Sequence, residues 1–459
     1  MSQGAMPADR LTREIGLPRT EWTADRLVRW VSDAGIHIVS LMHIAGDGQL
    51  KTLDFVPGSE SHLRDILQAG ERADGSSLFP ELAIPAEASD VLLRPRLATA
   101  FVDPFSPTPT LAILCGHASR EGTPLPESPD TIVRAAHARL QAEAGTELHA
   151  LTEVEYFLGG PSVASASACR SDCGYHATSP MVLGQSLRRE ALSILAEMGI
   201  AVKYGHSEVG YIPAGRRDER VWEQHEIELG LAPLPQAADA AVLTQWVLRN
   251  LAEQHGLVCS FEPVLHEGHA GSGLHVHLSP VVDGQPLGGR TAEGELHPPA
   301  TWLIAGLVQL GGALMAFGNR EASSFVRLRQ AKEAPNAVNW GDHDRKALVR
   351  LPILVTTPAG AVVGAPTIEF RLPDGSAHPH LLLAGIAQAM LYGRATEGIA
   401  ELLRRTASSS MSEQPGHAAA VPGDFQEVAD ALDAHRSVLE QGGVFPVHVL
   451  DHVVSTLRA

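Results

Sequence analysis

Residues Gly271–Pro280 read Gly-Ser-Gly-Leu-His-Val-His-Leu-Ser-Pro. After the glycines, Leu274, Val276 and Leu278 alternate with His275, His277 and Ser279. A period of two belongs to a strand, whose side chains point to opposite faces in turn. Both histidines therefore share one face, and the aliphatic residues share the other. Gly271 and Gly273 let backbone come close to a ligand or take up positive φ. A lone His-x-His would mean no more than a half-buried strand with two polar residues toward water. Three further stretches repeat the device, and together they decide the fold.

Leu151–Leu158 sets Glu153 and Glu155 against Val154, Tyr156 and Leu158. His225–Leu229 sets Glu226 and Glu228 against Ile227 and Leu229, and Ile368–Leu372 sets Glu369 and Arg371 against Ile368, Phe370 and Leu372. Four strands of this kind predict an α+β fold, a sheet packed on helices behind and lining a cavity in front. So many carboxylates on one face repel one another unless cations sit among them. Oxygen ligands with an imidazole suit Mg²⁺ or Mn²⁺ better than a thiolate-loving metal.

The chain has 459 residues, enough for two or more domains, and a formal charge of −18. That charge disfavours a nucleic-acid partner. The four cysteines, Cys115, Cys169, Cys173 and Cys259, read as reduced thiols of a cytoplasmic protein. Cys169 and Cys173 lack a second pair at metal-ligand spacing, so zinc is not expected. Residues 1–20 have no signal-peptide core and read as a mobile tail. Thr301–Gly318 is almost wholly apolar, but Gln309 and three glycines make it a buried core helix rather than a membrane span.

In chain order, a helix at Thr23–Ala34 precedes strands at Ile36–Ile44 and Leu50–Val56. A helix near Leu63–Gln68 and a loop at Ala73–Ser77 follow, then strands at Leu97–Val102 and Thr110–Cys115. A Gly- and Pro-rich linker, Gly116–Pro129, leads to a helix at Pro129–Ala144. Gly160–Ala177 reads as a surface loop. Further helices are expected at Leu183–Met198, Pro235–His255, His380–Thr406 and Asp424–Gln441, the last two split by a Ser-rich loop at Ser408–Ser412. Arg327, Arg345 and Arg350 gather near the Glu369/Arg371 strand, an arrangement suited to phosphate and carboxylate.

Six ordered blocks resemble the glutamine synthetase family: Asp74-Gly-Ser-Ser77, Glu153-Val-Glu155, Ala270–Ser279, Arg327–Pro335, Asp344–Arg350 and Ile368–Asp374. The resemblance implies an N-terminal β-grasp domain over residues 21–116. Residues 117–459 would form a catalytic domain whose curved antiparallel sheet makes a funnel backed by helices. Family members form homo-oligomers, hexameric rings or dodecamers, in which Asp74 would act across a subunit boundary. The implied reaction uses ATP and two or more Mg²⁺ or Mn²⁺ ions per site to join ammonia to the γ-carboxylate of glutamate through γ-glutamyl phosphate.

By the same resemblance, Glu155, Glu208 and Glu226 would hold one ion, and Glu153, His275 and Glu369 the other. Five carboxylates against two divalent ions leave about −1. Arg345 and Ser279 would meet the nucleotide, and Arg371 the transferring group. Arg327, with Gly271, would bind glutamate, with His277 and Arg350 beside the reacting group. Glu333 and Asp74 would attract and deprotonate the incoming ammonium.

Some positions depart from the family pattern. Ala270 stands where an Asn helps hold the amino acid, Val264-Leu265 replaces Lys-Pro, and Gly364 and Thr367 replace basic nucleotide contacts. An insertion, Tyr211–Arg220, carries Arg216 and Arg217, and no counterpart exists of the tyrosine that some bacterial members adenylylate. These changes open an alternative: ligation of glutamate, or a related acid, to methylamine, ethanolamine or a polyamine. A third reading, a non-catalytic structural or regulatory member, predicts eroded metal ligands, and none is eroded.

Overall fold

The computed structural model describes residues 9–80, 89–161, 171–215, 218–330, 333–409 and 419–459. Two sheets organise them. The smaller contains β1 (Ile38–Ile44), β2 (Leu50–Phe55), β3 (Glu71–Asp74), β4 (Asp90–Pro95), β5 (Phe101–Val102) and β6 (Thr110–Ala118), in the order β2-β1-β6-β4-β3 with β5 against β6. The larger contains β7 (Glu147–Pro161), β8 (Val202–Ile212), β9 (Arg220–Leu229), β10 (Ala232–Pro233), β11 (Val258–Ser260), β12 (Leu274–Val282), β13 (Gln285–Pro286), β14 (Trp340–Asp342), β15 (Val349–Leu351) and β16 (Ile368–Phe370). Its main path is β14-β15-β16-β12-β7-β9-β8. Its pairs are antiparallel except β14 with β15.

The small sheet is apolar on both faces, which is why β1 and β6 read as continuous hydrophobic runs. Val39, Leu41, Leu111 and Ile113 pack on the helices Ala24–Asp33 and Glu60–Ala69. Met42, Ile44, Ala112 and Leu114 pack instead with Leu187, Val247 and Leu251 of helices behind the large sheet. A buried charge cluster reinforces this junction: Arg96 lies 2.6 Å from Asp239 and 3.3 Å from Asp130, and His380 lies 3.1 Å from Asp239. Behind β12 and β16, helices Pro129–Ala144, Pro298–Gly318, Pro379–Ala395 and Phe425–Glu440 form the largest core. Pro298–Gly318 is long and apolar enough to cross a membrane, but 78% of that window is buried inside the protein.

Several expectations are corrected. The expected tail holds a helix at Arg10–Ile15, because Leu11 is buried and Arg19 ties Asp9 to the carbonyls of Ala98 and Met198; residues 1–8 lie outside the described set. The strand expected at Leu97–Val102 is a 3₁₀ turn at Leu97–Thr99 followed by the short β5, and the longer strand β4 lies before it. Asp74 ends a strand and caps a one-turn helix, Gly75–Leu78, rather than lying in a loop. β6 runs past Gly116, because Gly116–Ala118 pair with Leu92–Arg94. The helix expected at His380–Thr406 breaks after Ala395, since Gly398 sits at φ 66°. A C-terminal helix, Val447–Arg458, was not anticipated. Cys115, Cys173 and Cys259 are free thiols. Cys169, Arg216, Arg217, Lys332 and residues 410–418 lie outside the described set.

Candidate active site

Register builds the site. Tyr204 on β8 stands opposite Glu228 on β9, Glu228 opposite Glu153 on β7, and Glu153 opposite His275 on β12. The next row runs His206, Glu226, Glu155. Beyond β12, His277 pairs with Glu369, and Glu369 with Arg350. Like charges directly opposite one another destabilise a sheet. Two such pairs, Glu153 with Glu228 and Glu155 with Glu226, stand side by side here.

Basic groups offset one end of this face. His275 Nδ1 lies 2.8 Å from Glu153, 3.7 Å from Glu369 and 3.8 Å from Glu155. His277 Nε2 lies 3.0 Å from Glu153, and its Nδ1 lies 2.9 Å from the hydroxyl of Thr367. Arg350 donates to Glu369 at 2.7 Å, and Arg371 donates to the other oxygen of the same carboxylate. Burial alone would raise Glu153, but His277 and His275 outweigh it and hold the carboxyl well below its ordinary range. Arg371 and His277 lower Glu369 against the same opposing burial.

The other end lacks such partners. Burial, then the Glu155 charge, pushes Glu208 up to about 8. Burial, then Glu153 and Glu155, raises Glu226 as well. Their nearest basic group is His206, 3.5 Å from Glu208 and 3.3 Å from Glu226. Carboxylates that hold protons at neutral pH are what a cation site looks like without its cation. Oxygen and imidazole donors converge in three groups, each with ligand atoms within 4.8 Å of one another: Glu153, His275 and Glu369; His206, Glu208 and Glu226; and Glu153, Glu228 and His277. This donor set fits Mg²⁺ or Mn²⁺.

A cavity of about 360 Å³ opens above the face, lined by Glu155, Glu208, Gln224, Ala270, Gly271, His275, Arg327, Glu333 and Arg371, among others. Gly271 and Gly273 are needed for close approach. A Cβ at Gly271 would meet the Pro263 carbonyl at 2.4 Å, and one at Gly273 would meet His275 Nε2 at 2.7 Å. Arg327 is buried, donating to the Leu372 carbonyl at 3.0 Å with Nη2 3.3 Å from His275. Glu333 holds a left-handed backbone at φ 60°, with its carboxylate 3.7 Å from Arg345 and its carbonyl accepting from Arg371 at 3.1 Å.

Thirteen of the fifteen residues singled out from the sequence thus fall on or beside one face. The other two lie apart. Ser279 lines a second cavity, of about 610 Å³, with Leu231, Val281 and Ala365. Asp74, exposed on the edge strand β3, does not line the acidic cavity of its own chain. Glu155 is also tied down differently from the expectation, since its Oε2 accepts from Gly273 N at 2.8 Å and Gln224 Nε2 at 2.9 Å. His206 and Gln224 were missed, although His206 alternates with Glu208 and Gln224 with Glu226. Tyr175 was missed as well, and its ring lies beside His206 with centroids 5.4 Å apart.

This fold and this face define an α+β protein with an acidic, arginine-flanked hollow suited to divalent cations and anionic substrates. Residues 126–459 match the family described as glutamine synthetase, catalytic domain, and the chain belongs to the glutamine synthetase family. It is 28% identical to glutamine synthetase of Methanococcus maripaludis over 406 residues, 87% of this chain and 86% of the relative. It is 29% identical over 457 residues to a protein of Cupriavidus pinatubonensis named 3-hydroxylaminophenol mutase, 90% of this chain and 93% of the relative. In fold it is similar to Plasmodium falciparum glutamine synthetase, with TM-score 0.78 and 19% identity over 95% of each chain. It is similar also to a GmaS/ADP complex, with TM-score 0.76 and 22% identity over 94% of each chain.

Proposed function

We propose that this protein joins a nitrogen nucleophile to the γ-carboxylate of glutamate, with ATP as phosphoryl donor. The observation that carries the reading is the convergence of Glu153, Glu155, Glu208, Glu226, His275 and Glu369 on one hollow flanked by Arg327, Arg350 and Arg371. Glu208 and Glu226, with Glu155 and His206, would hold one Mg²⁺ or Mn²⁺, and Glu153, His275 and Glu369 the other. Bound there, such ions neutralise triphosphate charge.

The remaining chemistry belongs to side chains and substrates. Arg327 takes the α-carboxylate of glutamate, with Gly271 against the substrate, and Ser279 and its cavity take the nucleotide. A γ-carboxylate oxygen attacks the γ-phosphorus of ATP, the bond to ADP breaks, and Arg345 and Arg371 hold the transferring group. The nitrogen lone pair then attacks the acyl carbon while phosphate leaves with the C–O electron pair. The surplus proton passes to Glu333, with Asp74 of a neighbouring copy drawing the cationic nitrogen inward.

Ammonium is the simplest nucleophile and gives glutamine. A second reading, an organic amine, is favoured by an aromatic cavity beside Glu208 and by the aryl nitrogen compound in one relative's name. Phosphate release with glutamate, ATP, Mg²⁺ and an amine tests the reaction. Glu155→Ala should reduce it more than a hundredfold without dissociating the assembly. No acid- and amine-dependent phosphate release from the intact protein would overturn the proposal.

A further inference from the structure

A third cavity, of about 480 Å³, opens on the β8 side of the acidic cluster and is lined by Tyr175, His176, Arg188, Tyr204 and His206, among others. Its rings form a continuous wall. Tyr175 stacks on His176 with centroids 4.3 Å apart, His206 meets Tyr175 edge-on at 5.4 Å, and Tyr204 lies 5.9 Å from His206. Tyr175 is 53% exposed and Tyr204 46%, so two large rings face open space beside buried charge. Unshielded aromatic surface of this kind marks binding sites.

The wall has a polarity. At its inner end His206 lies 3.5 Å from Glu208 and 3.3 Å from Glu226. Lys203 Nζ lies 5.0 Å from the Tyr204 ring centre but is paired with Glu228 at 2.6 Å, so the cationic side chain that remains in the lining is Arg188. A ligand that fits presents one cation to the carboxylates, lays an apolar or aromatic body against the rings, and carries no second cation toward Arg188. Ammonium fits poorly. It fills only ~30 Å³, the share of one water, and leaves every ring uncovered.

Resting on the ligase reading above, we propose that this cavity is the nucleophile pocket and selects a primary arylalkyl monoamine over both ammonium and diamines. Tyr175 and Tyr204 stack on the body of the amine, and its nitrogen lies at Glu208. This names the class of the second substrate.

The test compares kcat/KM for 2-phenylethylamine, ammonium, butylamine and 1,4-diaminobutane on the intact protein with glutamate and ATP. 2-Phenylethylamine is expected to exceed ammonium at least tenfold, and butylamine to exceed 1,4-diaminobutane. In Tyr204→Ala the ratio of 2-phenylethylamine to ammonium falls about tenfold, and in Tyr204→Phe most of it returns, because the ring and not the hydroxyl stacks. Taking the ratio on one preparation cancels losses from partial misfolding, and His176→Ala supplies the same comparison should Tyr204→Ala not accumulate. Ammonium as the better substrate, or a ratio unmoved in these variants, overturns the proposal. If no amine releases phosphate, the ligase reading fails on its own. Calorimetric titration with 2-phenylethylamine then decides the pocket: Tyr204-dependent heat upholds it, and no heat overturns it.

Discussion

Glu208 and Glu226 carry the cost of a face built for cations, and that cost has a sign. A carboxyl raised from 4.5 to about 8 keeps its proton in the folded chain where the unfolded chain has lost it. Its contribution to stability is full below the unfolded value and is lost as pH climbs through the folded one. Glu226 acts in the same direction. So does His277, raised by Glu153, whose stabilising charge goes as pH passes its folded value. His43 and His117, pushed down by burial to about 4 and about 3, work the other way, but their window closes near 6.5. From pH 6.5 to about 8.5 in EDTA, Tm by scanning fluorimetry should therefore fall, and Mn²⁺ should flatten the slope by taking the proton's place. A Tm that is flat or rising in EDTA would sink the reading of these two residues. Strand alternation made most of the face legible in the sequence, since Glu153, Glu155, Glu226, Glu228, His275, His277 and Glu369 each sit every second residue. His206 escaped although it alternates with Glu208, because Gly205 and Ser207 stand where an aliphatic face would mark the strand, and β8 shifts register between Ser207 and Tyr211. Tyr175 and Tyr204 escaped because a single ring in a polar stretch carries no pattern.

Among the elements, the Pro298–Gly318 helix shows why composition misleads. Its glycines, which counted against a membrane span, turn out to be contact points. A Cβ at Gly306 would lie 2.0 Å from the Ala389 carbonyl, and one at Gly393 would lie 2.0 Å from that of Trp302. The helices Pro298–Gly318 and Pro379–Ala395 thus cross backbone to backbone, and neither has room to give. Gly306→Ala should destabilise the protein by about 2–3 kcal/mol in urea denaturation, despite the better helix propensity of alanine. Gly311→Ala, whose Cβ would meet the movable Leu348 Cδ2 at 3.1 Å and Phe370 Cε2 at an ordinary 3.8 Å, should be tolerated. Equal midpoints for the two would show that the crossing is not the constraint. Pro129–Ala144, Leu234–Gln254 and this helix were readable to within a few residues because each has a Pro in its first turn and apolar residues that recur at helical spacing or run together behind it. Val447–Arg458 was not, since its valines and threonine lower helix propensity and only packing decides its state.

For the whole molecule, the small sheet is held by burial on both faces and by Arg96 reaching Asp239 and Asp130. Arg96→Met removes the guanidinium that Asp239 and Asp130 share, leaving them only His380 and Arg134, and should cost about 3 kcal/mol, read as a lowered denaturation midpoint. That same rigid seating fixes Asp74, which stands on the outer strand β3 with its carboxylate bonded to the hydroxyls of Ser76 and Ser77. Those hydroxyls, Ser77 first, hold its pKa far below the ordinary value, so it stays ionised and suits attracting a cation better than accepting a proton. Yet it lines no part of the acidic cavity of its own chain. If Asp74 serves this reaction, it serves the hollow of another copy, and each site needs two subunits. Asp74→Ala and Glu155→Ala should then each be nearly inactive alone but complement when co-expressed. In a closed ring assembled at random from equal amounts, about a quarter of interfaces pair an intact Asp74 with an intact Glu155, so roughly a quarter of wild-type turnover should return. Mixed assemblies, verified by two affinity tags, that recover nothing would confine Asp74 to its own chain and remove it from the reaction.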